Sequence, residues 1–186
     1  MIQSQDRSGW IGASDVQFVI GNWKTKTWEN WWMEKLGISR GRFDNKYTLA
    51  GTNWEHRILD SLGLPDLEKD RCFLIEDLRL RVNLDGNTHS RIKEVKTYQW
   101  EKGWKKTPQK YINQVQVQMF GSKIYGADIV AYGLEPEDYD NFLRQLDPRR
   151  LQQIEVSYDL KWIETVYLPK HMILAEALKR GVFPYV

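Results

Sequence analysis

Apolar residues recur along the chain with two different periods, and the switches between them mark out the elements. Val16, Val19 and Ile20 form a short stripe behind Ser14-Asp15, which predicts a helix that Gly21 closes. Trp28, Trp31, Trp32 and Leu36 repeat at helical spacing after Thr27, so a second helix is expected, capped by that threonine and ended at Gly37. Residues 41–47 read as a polar connector. A third helix opens at Thr48 and runs through Leu62 to Gly63, with Ile58, Leu59 and Leu62 as its buried stripe. Leu64-Pro65-Asp66 breaks it, and the pattern changes to period two: residues 71–75, 78–84 and 91–97 predict the three strands of an antiparallel meander. Gly86-Asn87 is the turn signal between the last two strands, which form a hairpin.

Beyond the hairpin, Thr107-Pro108 supplies a cap and a first-turn proline for a helix over residues 111–123, although Val115-Gln-Val-Gln would also suit a strand. Residues 127–132 read as a short buried strand, 136–146 as a helix and 151–158 as another strand. A terminal helix follows over 160–180, and Pro169 is expected to break or bend it. This order predicts an α/β fold in which a central mixed sheet, containing the meander, is flanked by helices. At 186 residues the chain suits a single domain spanning 1–186.

Composition changes this picture little. Hydrophobic residues make up 41% and charged residues 28%, an ordinary globular balance, and a net charge of +2 neither requires nor excludes a nucleic-acid partner. The single cysteine, Cys72, lies beside Phe73-Leu74-Ile75, so a buried reduced thiol is expected and a disulfide framework is excluded. With no membrane-length apolar run and no signal-peptide core at the N-terminus, the expected setting is cytoplasmic. The nine tryptophans are expected to serve mostly as core or interface mass.

The candidate chemistry centres on the hairpin. Pairing across the turn brings Asp85 opposite Glu94, and period-two alternation sends Ile92, Glu94 and Lys96 to one face and Val95 to the other. Two adjacent carboxylates repel each other, and a Mg²⁺ ion is the simplest resolution; a solvated hairpin with an ordinary Glu-Lys pair would also account for an isolated Glu-x-Lys. Glu55 sits on the apolar side of the third helix, where a carboxylate needs a metal, another cation or a water-filled site, and an ion pair with an arginine would also satisfy it. Arg7 and Ser14 bracket a helix entry that suits either a phosphate or a plain serine cap beside a surface arginine. Tyr98, Trp100, Lys102, Trp104, Lys105, Lys106 and Lys110 alternate aromatic and basic character. Such a loop can ride on a phosphate backbone and stack on bases, or tuck its rings back onto the core. Pro65-Asp66 and Asp159-Leu-Lys161 are set aside because neither has a partnered acid on a neighbouring strand, and the three histidines are too scattered to define a zinc site.

Taken together, four blocks resemble the PD-(D/E)xK nucleases, and within them the YqaJ-like viral recombinases related to lambda exonuclease. They are Arg7-Ser-Gly-Trp-Ile-Gly-Ala-Ser14, Gly51-Thr-Asn-Trp-Glu55, Asp85-Gly86 with Glu94-Val95-Lys96, and Tyr111-Ile-Asn-Gln114-Val-Gln116. The family proline is replaced by Leu84, and residues 117–186 match only in element order. The resemblance implies a restriction-endonuclease-like core in which Asp85, Glu94 and the carbonyl of Val95 hold Mg²⁺, with Mn²⁺ as a substitute and Glu55 at or beside the metal. Lys96 would orient or activate the attacking water, Gln114 would assist it, and Arg7 and Ser14 would face the terminal phosphate. The implied activity is a DNA exonuclease working from duplex ends, 5′ to 3′, that leaves single strands for recombination. A homing or structure-specific endonuclease and a catalytically silent DNA-binding module are the alternatives. The implied partners are DNA ends, a single-strand annealing protein and further copies in a trimeric ring, in a host cytoplasm if the source is viral.

Overall fold

The computed structural model describes residues 8–39 and 46–184, with side chains of the third helix described from residue 49. Six strands form one mixed sheet in the order β1 (Ile11–Gly12), β3 (Leu80–Asn87), β4 (Arg91–Gln99), β5 (Gly126–Leu134), β6 (Leu151–Ser157), with β2 (Glu68–Ile75) on the other edge of β3. The meander β2-β3-β4 is antiparallel, β4 and β5 run parallel, and β6 returns antiparallel to β5. One face carries α1 (Val16–Ile20), α2 (Lys26–Lys35), α4 (Gln109–Ser122) and the C-terminal α5 (Leu160–Trp162) and α6 (Leu168–Lys179), packed around Ile11, Trp32, Val82, Ile92, Val115, Met119 and Ile129. The other carries α3 (Lys46–Ser61), whose Ala50, Trp54, Ile58 and Leu59 press on Val95, Val130 and Tyr132. The fold class is the one expected from the patterning.

The tryptophans of α2 are core mass. Trp28 stacks on Trp32 at 5.5 Å between ring centroids and Trp31 on Phe18 at 4.9 Å, and all three indoles are buried. Thr25, not Thr27, caps this helix by accepting from Trp28 N at 3.2 Å. Helix α1 starts from Asp15, within the expected Ser14-Asp15 start, after a 3₁₀ turn over Ala13–Asp15 whose cap is Gly12, with Gly12 N donating to Asp15 Oδ2 at 2.7 Å; Ser14 is exposed and caps neither. Helix α3 begins at Lys46, two residues before Thr48, and residues 41–45 of the expected connector lie outside the described residues. Pro108 occupies the cap of α4 itself, one position earlier than expected, and the Val115-Gln-Val-Gln stretch is helical.

Three expectations fail for clear physical reasons. The hairpin turn is not Gly86-Asn87, which belongs to β3, but residues 88–90, closed by Thr88 N to Arg91 O at 2.8 Å. Gly86 is required by packing: a Cβ there would stand 2.9 Å from Leu59 Cδ2, so α3 could not sit so close. Residues 136–146 form only a single 3₁₀ turn, Pro136–Tyr139, because Arg57 of α3 takes the carbonyls of Phe142 and Arg144 away from any helical ladder. Cys72 is exposed, since β2 turns Cys72 and Leu74 outward while Phe73 and Ile75 pack on the core. The terminal helix is interrupted as Pro169 requires: a π turn, Ile163–Tyr167, precedes α6 and absorbs the missing amide. Among the described residues no helix is long and apolar enough to cross a membrane.

His171 on α6 is fully buried and held neutral. Leu78 O can only accept, so Nε2 carries the proton toward it (2.8 Å) and Nδ1 accepts from the Tyr167 hydroxyl (2.9 Å). Burial lowers the imidazole pKa to about 4, against an opposing contribution from the bond to Leu78. Because the folded value lies below the ordinary 6.5, this stabilisation is complete above pH 6.5 and is lost as pH falls toward 4. The loss amounts to about 3 kcal/mol at 1.36 kcal/mol per unit. In denaturant titrations between pH 7 and 4, His171→Gln is therefore expected to lose stability less steeply than the wild type; parallel curves would show that His171 is not the titrating group.

Candidate active site

The site lies where the sheet comes apart. On one edge, β3 pairs with β4 only at Gly86 and Asn87 and with β1 only at Leu80 and Arg81. Residues 82–85 between those two ladders have no strand partner on that edge among the described residues. Asp85 Oδ2 caps the opening by accepting from Val95 N at 2.8 Å, in place of a backbone carbonyl. An open cavity of about 380 Å³ occupies the gap, lined by Asn83 and Asp85 from β3, Glu94 and Lys96 from β4, Gln114 from α4 and Glu55 from α3. Trp10, Ser14, Asp15, Lys35 and Arg81 also line it.

The alternation of β4 places its charges. Ile92 joins the core under α4 and Val95 the core under α3, so Glu94 faces α4 with only 1% of its surface exposed. There Glu94 Oε1 accepts from Lys96 Nζ and from Gln114 Nε2, each at 2.5 Å, and Oε2 accepts from Gln118 Nε2 at 2.5 Å. Gln114 and Gln118 lie one helical turn apart on α4 and therefore reach the same carboxylate. Burial opposes the charge of Lys96, but the attraction of Glu94 and Asp85 and the hydrogen bond to Glu94 outweigh it, and its pKa stands above the ordinary lysine value. Tyr111 completes the surroundings, with Lys96 Nζ 5.1 Å from its ring centroid.

Asp85 and Glu55 are poorly neutralised. Burial, followed by repulsion from Glu94 and Glu55, pushes the Asp85 carboxyl well above its usual range. Burial and the charge of Glu94 likewise raise Glu55. A cluster of carboxylate oxygens destabilised by its own repulsion, beside one lysine, suits a hard divalent cation.

The structure thus brings Glu55, Asp85, Glu94, Lys96, Gln114 and Ser14 to one cavity, with Val95 behind Asp85. Arg7 lies outside the described residues. The aromatic and basic loop divides. Trp104 packs between Tyr98 and Tyr111 at 5.1 and 5.5 Å, and Trp100 lies against the backbone of Gly133, where a Cβ would come within 2.4 Å of the indole. Trp104 is half-buried, while Trp100, though one side of its ring meets Gly133, is exposed, as are Lys102, Lys105 and Lys106. Asp159 is a helix cap, accepting from Trp162 N at 2.9 Å, and Asp66 accepts from His89 N at 3.4 Å; neither lines the cavity.

Sequence reasoning passed over the donor role of Gln118, and Lys35, Arg81 and Asn83 altogether. Arg81 and Asn83 share the period-two register of Asp85, a signal that was available; Lys35 carried none, because its place depends on its ion pair with Asp15 (2.6 Å). His56 gathers with Glu55 and Asp70, its Nε2 3.0 Å from Asp70 Oδ2, and the ligand-type atoms of the three lie within 4.8 Å of one another.

The chain shares its fold with solved exonucleases. LHK-Exo, an alkaline exonuclease from Laribacter hongkongensis solved in complex with dAMP, aligns with a TM-score of 0.72 at 18% identity, over 94% of this chain and 90% of that one. A phage-related exonuclease from Haemophilus somnus 129PT aligns at 0.63 and 16% identity, over 91% and 92%. At the level of fold, these likenesses meet the resemblance to the lambda-exonuclease branch of the PD-(D/E)xK nucleases. No protein-family model and no curated protein matches the chain.

Repulsion within the acid cluster has a measurable consequence. In a chelator, Glu55→Gln is expected to melt higher than the wild type, by roughly 2–4 °C for each kcal/mol of repulsion relieved in a chain of this size. Added Mn²⁺ is expected to erase or reverse that gain. A lower melting temperature without metal would show that Glu55 is held by a favourable partner.

Proposed function

We propose that the protein is a Mg²⁺-dependent deoxyribonuclease that removes nucleotides from the ends of duplex DNA, 5′ to 3′, and leaves single strands for recombination. The observation that carries this reading is the meeting of Asp85, Glu94, Lys96 and Gln114 at the parted strands, in a cavity that Ser14, Lys35 and Arg81 also line. Acids sit where a cation and water are needed, and cations sit where a phosphate must rest.

In this reading Asp85, Glu94 and the Val95 carbonyl hold the cation, with Glu55 beside them. When bound, Mg²⁺ would supply a water acidic enough to attack near neutral pH and would offset charge on the phosphoryl oxygens. Lys96 keeps its proton, because its acidic neighbours raise its pKa, and so acts as a fixed positive charge that orients the water and stabilises the developing phosphorane. Gln114 holds Glu94 from the side of the lysine. Lys35 and Arg81 are buried at 6% exposure each, Lys35 paired with Asp15, and Arg81 in particular is a buried cation that attracts an anionic group more strongly than one in water. Together with Ser14 they form a seat for the terminal phosphate.

The exonuclease choice draws on the solved neighbours, one of which binds dAMP, the kind of mononucleotide an exonuclease releases. Arg7 at the terminal-phosphate end, the ring trimer, the annealing-protein partner and a cytoplasmic setting belong to the same proposal. Lys102, Lys105 and Lys106 are proposed to track the DNA backbone beside the exposed Trp100, with Trp104 packed between Tyr98 and Tyr111.

End-labelled, 5′-phosphorylated linear duplex and a covalently closed circle provide the test. The wild type is expected to degrade the linear duplex only when Mg²⁺ is present and to spare the circle. Lys96→Ala is expected to bind DNA but cut on the order of 10²–10⁴-fold more slowly. Rapid cutting of the circle would make the protein an endonuclease, and undiminished cutting by Lys96→Ala would remove the proposed site.

A further inference from the structure

Glu94 accepts from three side-chain donors, and their distribution over its two oxygens is uneven. A carboxylate offers about four acceptor positions, two on each oxygen. Lys96 and Gln114 fill both positions of Oε1, and Gln118 fills one of Oε2. One acceptor position is left, on Oε2.

Gln118 is the least expected of these donors. It is 1% exposed, and its amide nitrogen also donates to Asn83 O at 3.0 Å. Asn83 belongs to β3 and Glu94 to β4, so this one side chain spans the gap where the two strands do not pair. Both contacts are acceptors, which fixes the amide orientation and leaves Oε1 of Gln118 buried with no hydrogen-bond partner among the described residues. Such an orphan costs about 1–3 kcal/mol, so leucine or methionine would fill the space at lower cost. The residue is explained by what its nitrogen holds.

Building on the nuclease reading, we infer that Gln118 is a positioning residue, which locks the Glu94 carboxylate across the parted strands so that Oε2 alone takes the divalent cation, through a single oxygen. Lys96 and Gln114 exclude a second bond through Oε1. Without Gln118 the carboxylate is free to rotate about its last bond, and the cation must pay the ordering entropy that the amide now covers.

The test is calorimetric titration of Mn²⁺ into the metal-free protein, with no DNA present. Gln118→Met keeps the length and loses the donor. Its dissociation constant is expected to rise roughly 10–100-fold, the usual effect of removing a residue that orients a metal ligand. In cutting assays the Mn²⁺ concentration for half-maximal rate is expected to rise with it, while the rate at saturating Mn²⁺ falls far less. Glu94→Gln is expected to abolish the binding. Unchanged affinity in Gln118→Met, with binding lost in Glu94→Gln, would overturn the positioning role and leave the nuclease site intact. Undiminished binding in Glu94→Gln would overturn both. Should Gln118→Met lose its cooperative melt, Gln118→Asn, which retracts the amide by one methylene, is titrated in the same way: weakened binding supports the role and unchanged binding overturns it.

Discussion

Two strands that pair for two residues and then separate create the conditions on which the site depends. A continuous β3–β4 ladder would bury Asp85 and Glu94 against each other in a closed sheet, with no room for water or substrate. Here the ladder stops after Gly86 and Asn87, and the Asp85 side chain substitutes for the missing carbonyl by accepting from Val95 N. The sheet is held on its other side, because β2 pairs along the other edge of β3 on both sides of Asp85 and β5 along all of β4. The opening is local and its walls are stiff, which is the requirement for holding charged groups at fixed separation.

The stiffness has a cost in electrostatics. Asp85, Glu94 and Glu55 are kept within mutual influence while partly or fully out of water, and both Asp85 and Glu55 respond with raised pKa values. Surrounding side chains offset some of this, most directly Lys96 and the two glutamines of α4. The parallel β4–β5 connection is what delivers those glutamines, since α4 is its crossover helix and must lie on the face that Glu94 occupies. Topology and chemistry are thereby linked through a single helix.

Much of this was legible in the sequence, and the reasons for the misses are specific. Period-two alternation placed Glu94, Lys96 and Val95 on their faces, and the apolar stripe of the third helix placed Glu55 as an acid on a buried side. Gly86 was misread because turn chemistry and close packing both select glycine, and only the position of Leu59 tells them apart. The segment after Pro136 was misread because Arg57, some eighty residues earlier, competes for its carbonyls. Cys72 was misread because β2 is an edge strand whose apolar residues do not all face inward. The first two misses lie on contacts between residues distant in sequence, which local pattern does not record.

The two-residue strand β1 joins the two walls of the cavity unequally. Glu94, Lys96, Gln114 and Asp85 come from one continuous stretch of chain, so their wall can assemble from neighbouring segments. The wall bearing Trp10 and Ser14 is attached through Ile11 to Leu80, Ile11 N to Arg79 O, and the Lys35–Asp15 pair. Because Ile11, Ala13 and Val16 are buried in the same core as α4, the short ladder is backed by packing, and that wall depends on the core rather than on its strand pairing. Loss of that packing would then cost the pocket its Ser14 side even with the ladder of β4 and β5 intact.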